Sequence, residues 1–225
     1  MQVAADIYSP SLPAIAKYFG SDITLAQISM SIYMLGVAIS ILIYGPLSDY
    51  YGRRRVLLVG MTVFTTSSII CCVVNSISVL ILMRFFQGFG AGVAGVVGYA
   101  AMKDIYSGHR YSQALSKLNM AVAFSPAVAP ILGSTIISYG VDWHVLFVMI
   151  SIASTVVLVF LYAKFQETLK TESRQDFSFK QILFSYSKIS RNWRFLGFAL
   201  IHCLTFAWLW AYIGNLPFIF TQGMD

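Results

Sequence analysis

Charge is scarce in this sequence: Asp, Glu, Lys and Arg make up 11% of 225 residues, against about a quarter in an ordinary soluble domain. That scarcity, set beside 58% apolar residues, excludes a water-soluble fold and indicates an all-α, polytopic membrane protein. Acids are fewer than bases, leaving a net charge of +6. The excess does not mark a nucleic-acid surface, because the basic residues fall between apolar stretches and are not interleaved with stacking aromatics. Cysteine is limited to Cys71, Cys72 and Cys203, all within apolar stretches and without ligand spacing, so neither a disulfide scaffold nor a metal site is expected. The pair Gly88-x-Gly90 lies mid-span with no strand before it and is no nucleotide loop. With no nucleophile–base pair either, no enzyme activity and no cofactor are expected, and His109, His144 and His202 are isolated. A basic leader is missing too: Asp6 and two prolines follow Met1 closely, so no cleavable signal peptide is expected.

What the sequence has in abundance is uninterrupted apolar chain. Stretches at 25–44, 56–74, 79–101, 114–137, 145–163 and 195–220 match the roughly 20 helical residues that cross about 30 Å of hydrocarbon. An N-terminal stretch has about 16 residues before Lys17 and reaches roughly 24 Å at 1.5 Å per residue, so the first span reads as cut short. The expected organisation is a six-span bundle over 1–163, a polar loop over 164–194 and one further span over 195–225. Gly45-Pro46-Leu47-Ser48-Asp49-Tyr50-Tyr51-Gly52-Arg53-Arg54-Arg55 reads as a short loop opened by the helix-ending Gly45. Its arginines place it in the cytoplasm. Alternation then puts the N-terminus, Lys103, Arg110, Lys117 and the seven basic residues of 164–194 on the same side, leaving only Lys17 and Arg84 elsewhere. The 164–194 segment reads as a linker, with an amphipathic pattern at Phe177, Phe179, Ile182, Leu183 and Tyr186 as the alternative.

Two ionisable residues, Asp6 and Arg84, fall inside apolar spans, where a charge is costly and marks a functional site or a structural partner. Burial disfavours the charged form of a carboxyl group, the property that a proton-coupling site requires. Pro10 and Pro13 follow Asp6 and are expected to loosen the first helix, as at helices bordering a transport route. Small residues in the fourth span (Gly88, Gly90, Gly92, Gly95, Gly98) and the fifth (Ala121 to Gly133) favour close helix packing. Pro126 and Pro130 should kink the fifth.

Together these pieces resemble the major facilitator superfamily, and within it the bicyclomycin-resistance (Bcr/CflA) type of drug:proton antiporter. Gly45 to Asp49 with Gly52, Arg53 and Arg54 is similar to motif A. Arg84-Phe85-Phe86-Gln87-Gly88-Phe89-Gly90 is similar to motif B, and Ala129-Pro130-Ile131-Leu132-Gly133-Ser134 to motif C. Asp6-x-Tyr8-x-Pro10-x-x-Pro13 resembles the first-span signature of these exporters, as do Asp104-Ile105-Tyr106-Ser107 and the run from Tyr212 to Pro217-Phe218. Ala129 and Ser134 stand where glycine is usual, and His144 stands where arginine is common, which should weaken any charge role at that end of the sixth span.

The resemblance implies two six-helix halves, each a pair of inverted repeats, around a shared cavity. This chain would be a fragment: one half plus one span, with the C-terminal half as its missing partner. The implied activity is proton-coupled efflux of small solutes across a bacterial inner membrane by alternating access, with the proton as coupling ion and the lipid bilayer and a small-molecule substrate as partners. Asp6 and Arg84 would couple proton and substrate, Tyr8, Tyr33, Tyr99 and Tyr212 would line the cavity, Pro126, Pro130 and Gly133 would shape the antiporter helix, and Gly45, Asp49, Gly52, Arg53 and Arg54 would gate the cytoplasmic side by engaging helices of the absent half. A sugar or metabolite facilitator and a non-transporting truncated chain are the alternatives.

Overall fold

In the computed structural model, residues 2–169 and 179–222 are described, and no strand occurs among them. The chain divides into two units, Met1–Gln175 and Asp176–Asp225. The first contains α1 (Gln2–Asp6), a 3₁₀ turn (Ser9–Ser11), α2 (Leu12–Phe19), α3 (Ile23–Tyr51), α4 (Arg53–Cys71), α5 (Ile77–Ile105), α6 (Gly108–Ser138) and α7 (His144–Lys164). The second contains α8 (Phe179–Ser190) and α9 (Trp193–Gln222). Lys170, Glu172, Arg174, Asp176 and Phe177, which the sequence reading placed in the polar loop, lie outside the described residues.

Helices α3 to α7 are each long and apolar enough to cross a membrane. The first span is different. Pro10 sits in the 3₁₀ turn and Pro13 in the first turn of α2, where a missing N–H costs no helical bond. Three short pieces therefore replace one continuous helix. Pro126 and Pro130, by contrast, lie inside α6 without ending it.

The sequence reading of Gly45 as a helix end is corrected. α3 runs through Gly45 and Pro46 to Tyr51, so most of the arginine-flanked motif is helix and Gly52 alone separates α3 from α4. A proline terminates a helix only when its ring clash and lost bond outweigh the packing of the turns beyond it. Here those last turns are held by Ser48, whose hydroxyl donates to the Gly45 carbonyl, and by the ion pair of Asp49.

At the centre of the first unit, α5 packs on α3 and α4, α4 packs on α7, and α1 with the 3₁₀ turn packs on α6. Between lipid-embedded helices the attraction comes from close van der Waals contact. The α5 glycines supply it: a Cβ on Gly88 would strike the Tyr33 carbonyl, and one on Gly90 would strike the backbone at Phe64. Gly95 and Gly98 face open space and have no such role. Apolar side chains exposed on α6, such as Phe124 and Ile131, and on α7, such as Val156 and Phe160, suit contact with lipid or with further protein.

Candidate functional site

Asp6, the last residue of α1, is fully buried, and its Oδ2 accepts a 2.5 Å hydrogen bond from the Ser125 hydroxyl of α6. That hydrogen bond ties the broken span to the helix carrying the two prolines. Gly133 makes this approach possible from the other side, since a Cβ there would run into the Ile7 carbonyl.

Arg84 of α5 is also fully buried. Its guanidinium lies 4.1 Å from the ring centroid of Tyr8, 4.3 Å from that of Tyr33 and 6.0 Å from that of Phe147. Nη1 donates to Gln87 Oε1 at 2.5 Å, while Nε and Nη2 have no hydrogen-bond partner among the described residues. The π faces stand in for those acceptors, and a desolvated cation–π contact is worth about 2 kcal/mol.

The hydrogen bonds around this core have fixed directions. Ser29 donates its one hydroxyl proton to the Ala26 carbonyl, so the Tyr8 hydroxyl is the donor to Ser29 Oγ at 2.6 Å. Gln87 Nε2 donates to Ser68 Oγ at 2.7 Å, and Ser68 in turn donates to the Phe64 carbonyl. The cation is thereby linked across α5 to the backbone of α4.

Four of the residues predicted from the sequence, Asp6, Tyr8, Tyr33 and Arg84, are brought into one buried cluster. Tyr8 and Tyr33 are 1% and 2% exposed, so their rings are committed to the cation and present no open solute-binding surface. Tyr99 stands elsewhere, part-exposed on α5 with its hydroxyl donating to Asn119 at 3.2 Å. Tyr212 belongs to α9 in the second unit, stacked on Trp208. Sequence reasoning assigned no role to Ser29, Ser68 or Phe147, counted Ser125 only among the small packing residues and quoted Gln87 only within motif B. For Gln87 a signal existed, because a polar residue three positions after a buried arginine shares its helix face.

A second cluster forms at the arginine-rich end. Arg53 Nη1 pairs with Asp49 Oδ1 at 2.6 Å and donates to Ser48, while Nε reaches Asp104 Oδ2 of α5 at 3.1 Å. Arg54 donates to the carbonyls of Phe165 and Tyr162 at 2.7 and 2.8 Å, placing a cation at the C-terminus of α7, the end that the helix dipole makes negative. Glu167 accepts from the backbone N–H groups of Arg53 at 2.9 Å and Arg54 at 3.3 Å, capping the N-terminus of α4. Arg53 and Arg54 thus have partners within the first unit, because α5 and α7 end beside the start of α4.

At the opposite end, His144 opens α7. Its Nδ1 lies 2.5 Å from Asp142 Oδ1 and its Nε2 3.1 Å from the Val74 carbonyl, and its ring stacks on Trp143 and meets Tyr18 edge-on. Partial burial pushes the Asp142 carboxyl up, but hydrogen bonds from the His144 backbone and ring, with the ring's charge, hold it below the ordinary carboxylate range overall. No grouping of His, Cys, Asp and Glu able to hold a metal occurs among the described residues.

Comparison with known proteins decides the family, since the Major Facilitator Superfamily profile matches residues 1–225. The chain belongs to the Major Facilitator Superfamily. It is 32% identical to the uncharacterized MFS-type transporter YdgK of Bacillus subtilis over 96% of its own length and 54% of the relative's. Identity is 31% with the chloramphenicol resistance protein CraA of Acinetobacter baumannii, covering 99% of this chain and 53% of that one. Against multidrug resistance protein D of Escherichia coli it is 37% over 59% of this chain and 34% of the relative. The chain thus spans about half the length of the first two of these relatives. Among solved structures, the human organic anion transporter MFSD10 superposes with a TM-score of 0.60 at 18% identity, covering 98% of this chain and 63% of that one. A peptide transporter POT bound to alafosfalin gives 0.64 at 19% identity, covering 91% and 44%. These two likenesses establish the superfamily fold.

Proposed function

We propose that this chain forms one half of a proton-coupled exporter of drugs or similar small solutes, of the Bcr/CflA type, acting in a bacterial inner membrane by alternating access. The N-terminus and the arginine-rich end face the cytoplasm, and a second six-helix half completes the cavity. The observation that carries this reading is Asp6: a carboxyl fully buried in a broken span, held by Ser125 and two residues from Tyr8, whose ring carries the buried cation Arg84. Resistance-protein relatives support the direction and substrate class.

The geometry suits a competition. A carboxylate kept from water binds either a proton or the positive charge of a solute, and gives up one to take the other. Protonation from outside neutralises Asp6, releases the solute and lets the cavity return, while each charge moved through the membrane contributes about 2.3 kcal/mol per 100 mV. Arg84 holds the surrounding rings in place and keeps a fixed positive charge beside that exchange. Motif A closes the cytoplasmic face through Asp49, Arg53 and Asp104.

The test places this half in a complete two-half transporter and compares drug efflux from energised vesicles with and without Asp6→Asn. Loss of proton-driven efflux with normal membrane insertion is the expected result. Undiminished efflux by the Asp6→Asn protein overturns the reading.

A further inference from the structure

The export reading gives α8 no role, and the inference drawn from this helix is independent of that reading. α8 ends at Ser190 and α9 begins at Trp193, so two residues separate a twelve-residue helix from an apolar span. The corner is built by Asn192, whose Oδ1 accepts from the backbone N–H groups of Arg194 at 3.1 Å and Phe195 at 3.4 Å. That is a side-chain cap on the first turn of α9. Two residues reach about 7 Å at most, so the C-terminal end of α8 is held beside the head of α9. Trp193, 84% exposed, is the residue type that settles at the headgroup level.

Composition says what meets α8 there. Phe179, Ile182, Leu183, Tyr186 and Ile189 recur at spacings that fall on one helical stripe; Phe184 is the apolar residue off it. Lys180 and Lys188 occupy register positions off the stripe, Arg191 stands in the turn after α8, Arg194 follows in α9, and residues 179–194 contain no Asp or Glu. Tyr186 and Ile189 of the stripe are 38% and 44% exposed. A short helix with an apolar stripe, a remainder whose only charges are positive and a direct junction to a membrane span has the character of an interfacial helix. Its unopposed positive charge selects a negatively charged surface.

We propose that α8 lies on the membrane surface as an anionic-phospholipid docking element, its apolar stripe in the acyl boundary and its two lysines, with Arg191 of the following turn, against phosphate headgroups. Each cation close to an anionic surface strengthens attachment by about fivefold.

The test uses the whole chain in nanodiscs of phosphatidylcholine alone or mixed with phosphatidylglycerol, with amide hydrogen exchange read over 179–190. Exchange is expected to be more than about tenfold slower in the anionic discs. The variant Lys180→Gln, Lys188→Gln, Arg191→Gln is expected to lose that difference, with exchange in α4 and α5 unchanged. Ile182→Ser with Ile189→Ser is expected to speed exchange in both lipids. Equal exchange of the unaltered chain in the two lipids, slow or fast, overturns the proposal: slow means that α8 packs on the chain's own helices, and fast means that it does not dock. A lipid difference that survives the triple variant also overturns it.

Discussion

The guanidinium of Arg84 rests 4.1 Å above the ring centroid of Tyr8, so a cation from the fourth span is seated on an aromatic face from the broken first one. The tie is specific to the face, and the hydroxyl contributes separately through Ser29. Tyr8→Phe keeps the face and loses one hydrogen bond, with an expected cost of about 1 kcal/mol. Tyr8→Leu loses both and is expected to cost about 3 kcal/mol. Unfolding midpoints in detergent, measured for both variants, check the order; equal losses would show that the ring face contributes nothing.

Gly52 combines a φ of +98° with a position where a Cβ would strike the Glu167 carboxylate. Gly52→Ala therefore both strains the backbone and displaces the cap of α4. Glu167→Ala alone is expected to cost about 1 kcal/mol, the usual value of a helix cap. Gly52→Ala should cost more, about 2 kcal/mol or above. The double variant should be less destabilised than the sum, because the clash disappears with the carboxylate while the strain remains. A double-mutant cycle by chemical denaturation measures the coupling.

Arg53 serves Asp49, Ser48 and Asp104 at once. A lysine offers one point charge in place of a planar fork, so Arg53→Lys is expected to retain the Asp49 pair and lose the link to α5. In a cycle with Asp104→Asn, the wild-type pair should show a coupling of about 1 kcal/mol and the lysine variant close to none.

Both ring nitrogens of His144 face acceptors, a carboxylate and a carbonyl, and an imidazole supplies two N–H donors only when protonated. The charged and titratable groups against it are Asp142 and Tyr18. The Asp142 carboxyl titrates below its ordinary range, so its contribution is complete above the unfolded value of about 3.9 and is lost as pH falls through the lower folded value. The protection of amides in the first turn of α7, corrected for intrinsic exchange, is thus expected to be retained above about pH 4 and to fall as the solution is acidified further. Asp142→Asn should abolish that fall.

The membrane spans were legible because apolar runs report directly on burial in lipid. Their ends were not: α3 extends to Tyr51 and α5 to Ile105, beyond the apolar runs, since helices continue into polar sequence when ion pairs and hydroxyls hold the last turns. Asp6 and Arg84 stood out as charges in apolar sequence. Which partners each would take was hidden, because Ser125 and Tyr8 are distant in sequence and ordinary in type. Glu167 gave no signal, being one acid in a polar loop more than a hundred residues from the amides it caps. His144 read as a weakened charge because arginine is usual there. The structure gives it the same two-acceptor environment that an arginine fork would satisfy.

Glu167 accepts the N–H groups of Thr168 and Leu169 as well as those of Arg53 and Arg54. One carboxylate therefore moors the departing polypeptide to the head of α4. Tension drawn along the chain past Leu169 is divided at this carboxylate between the head of α4 and the end of α7.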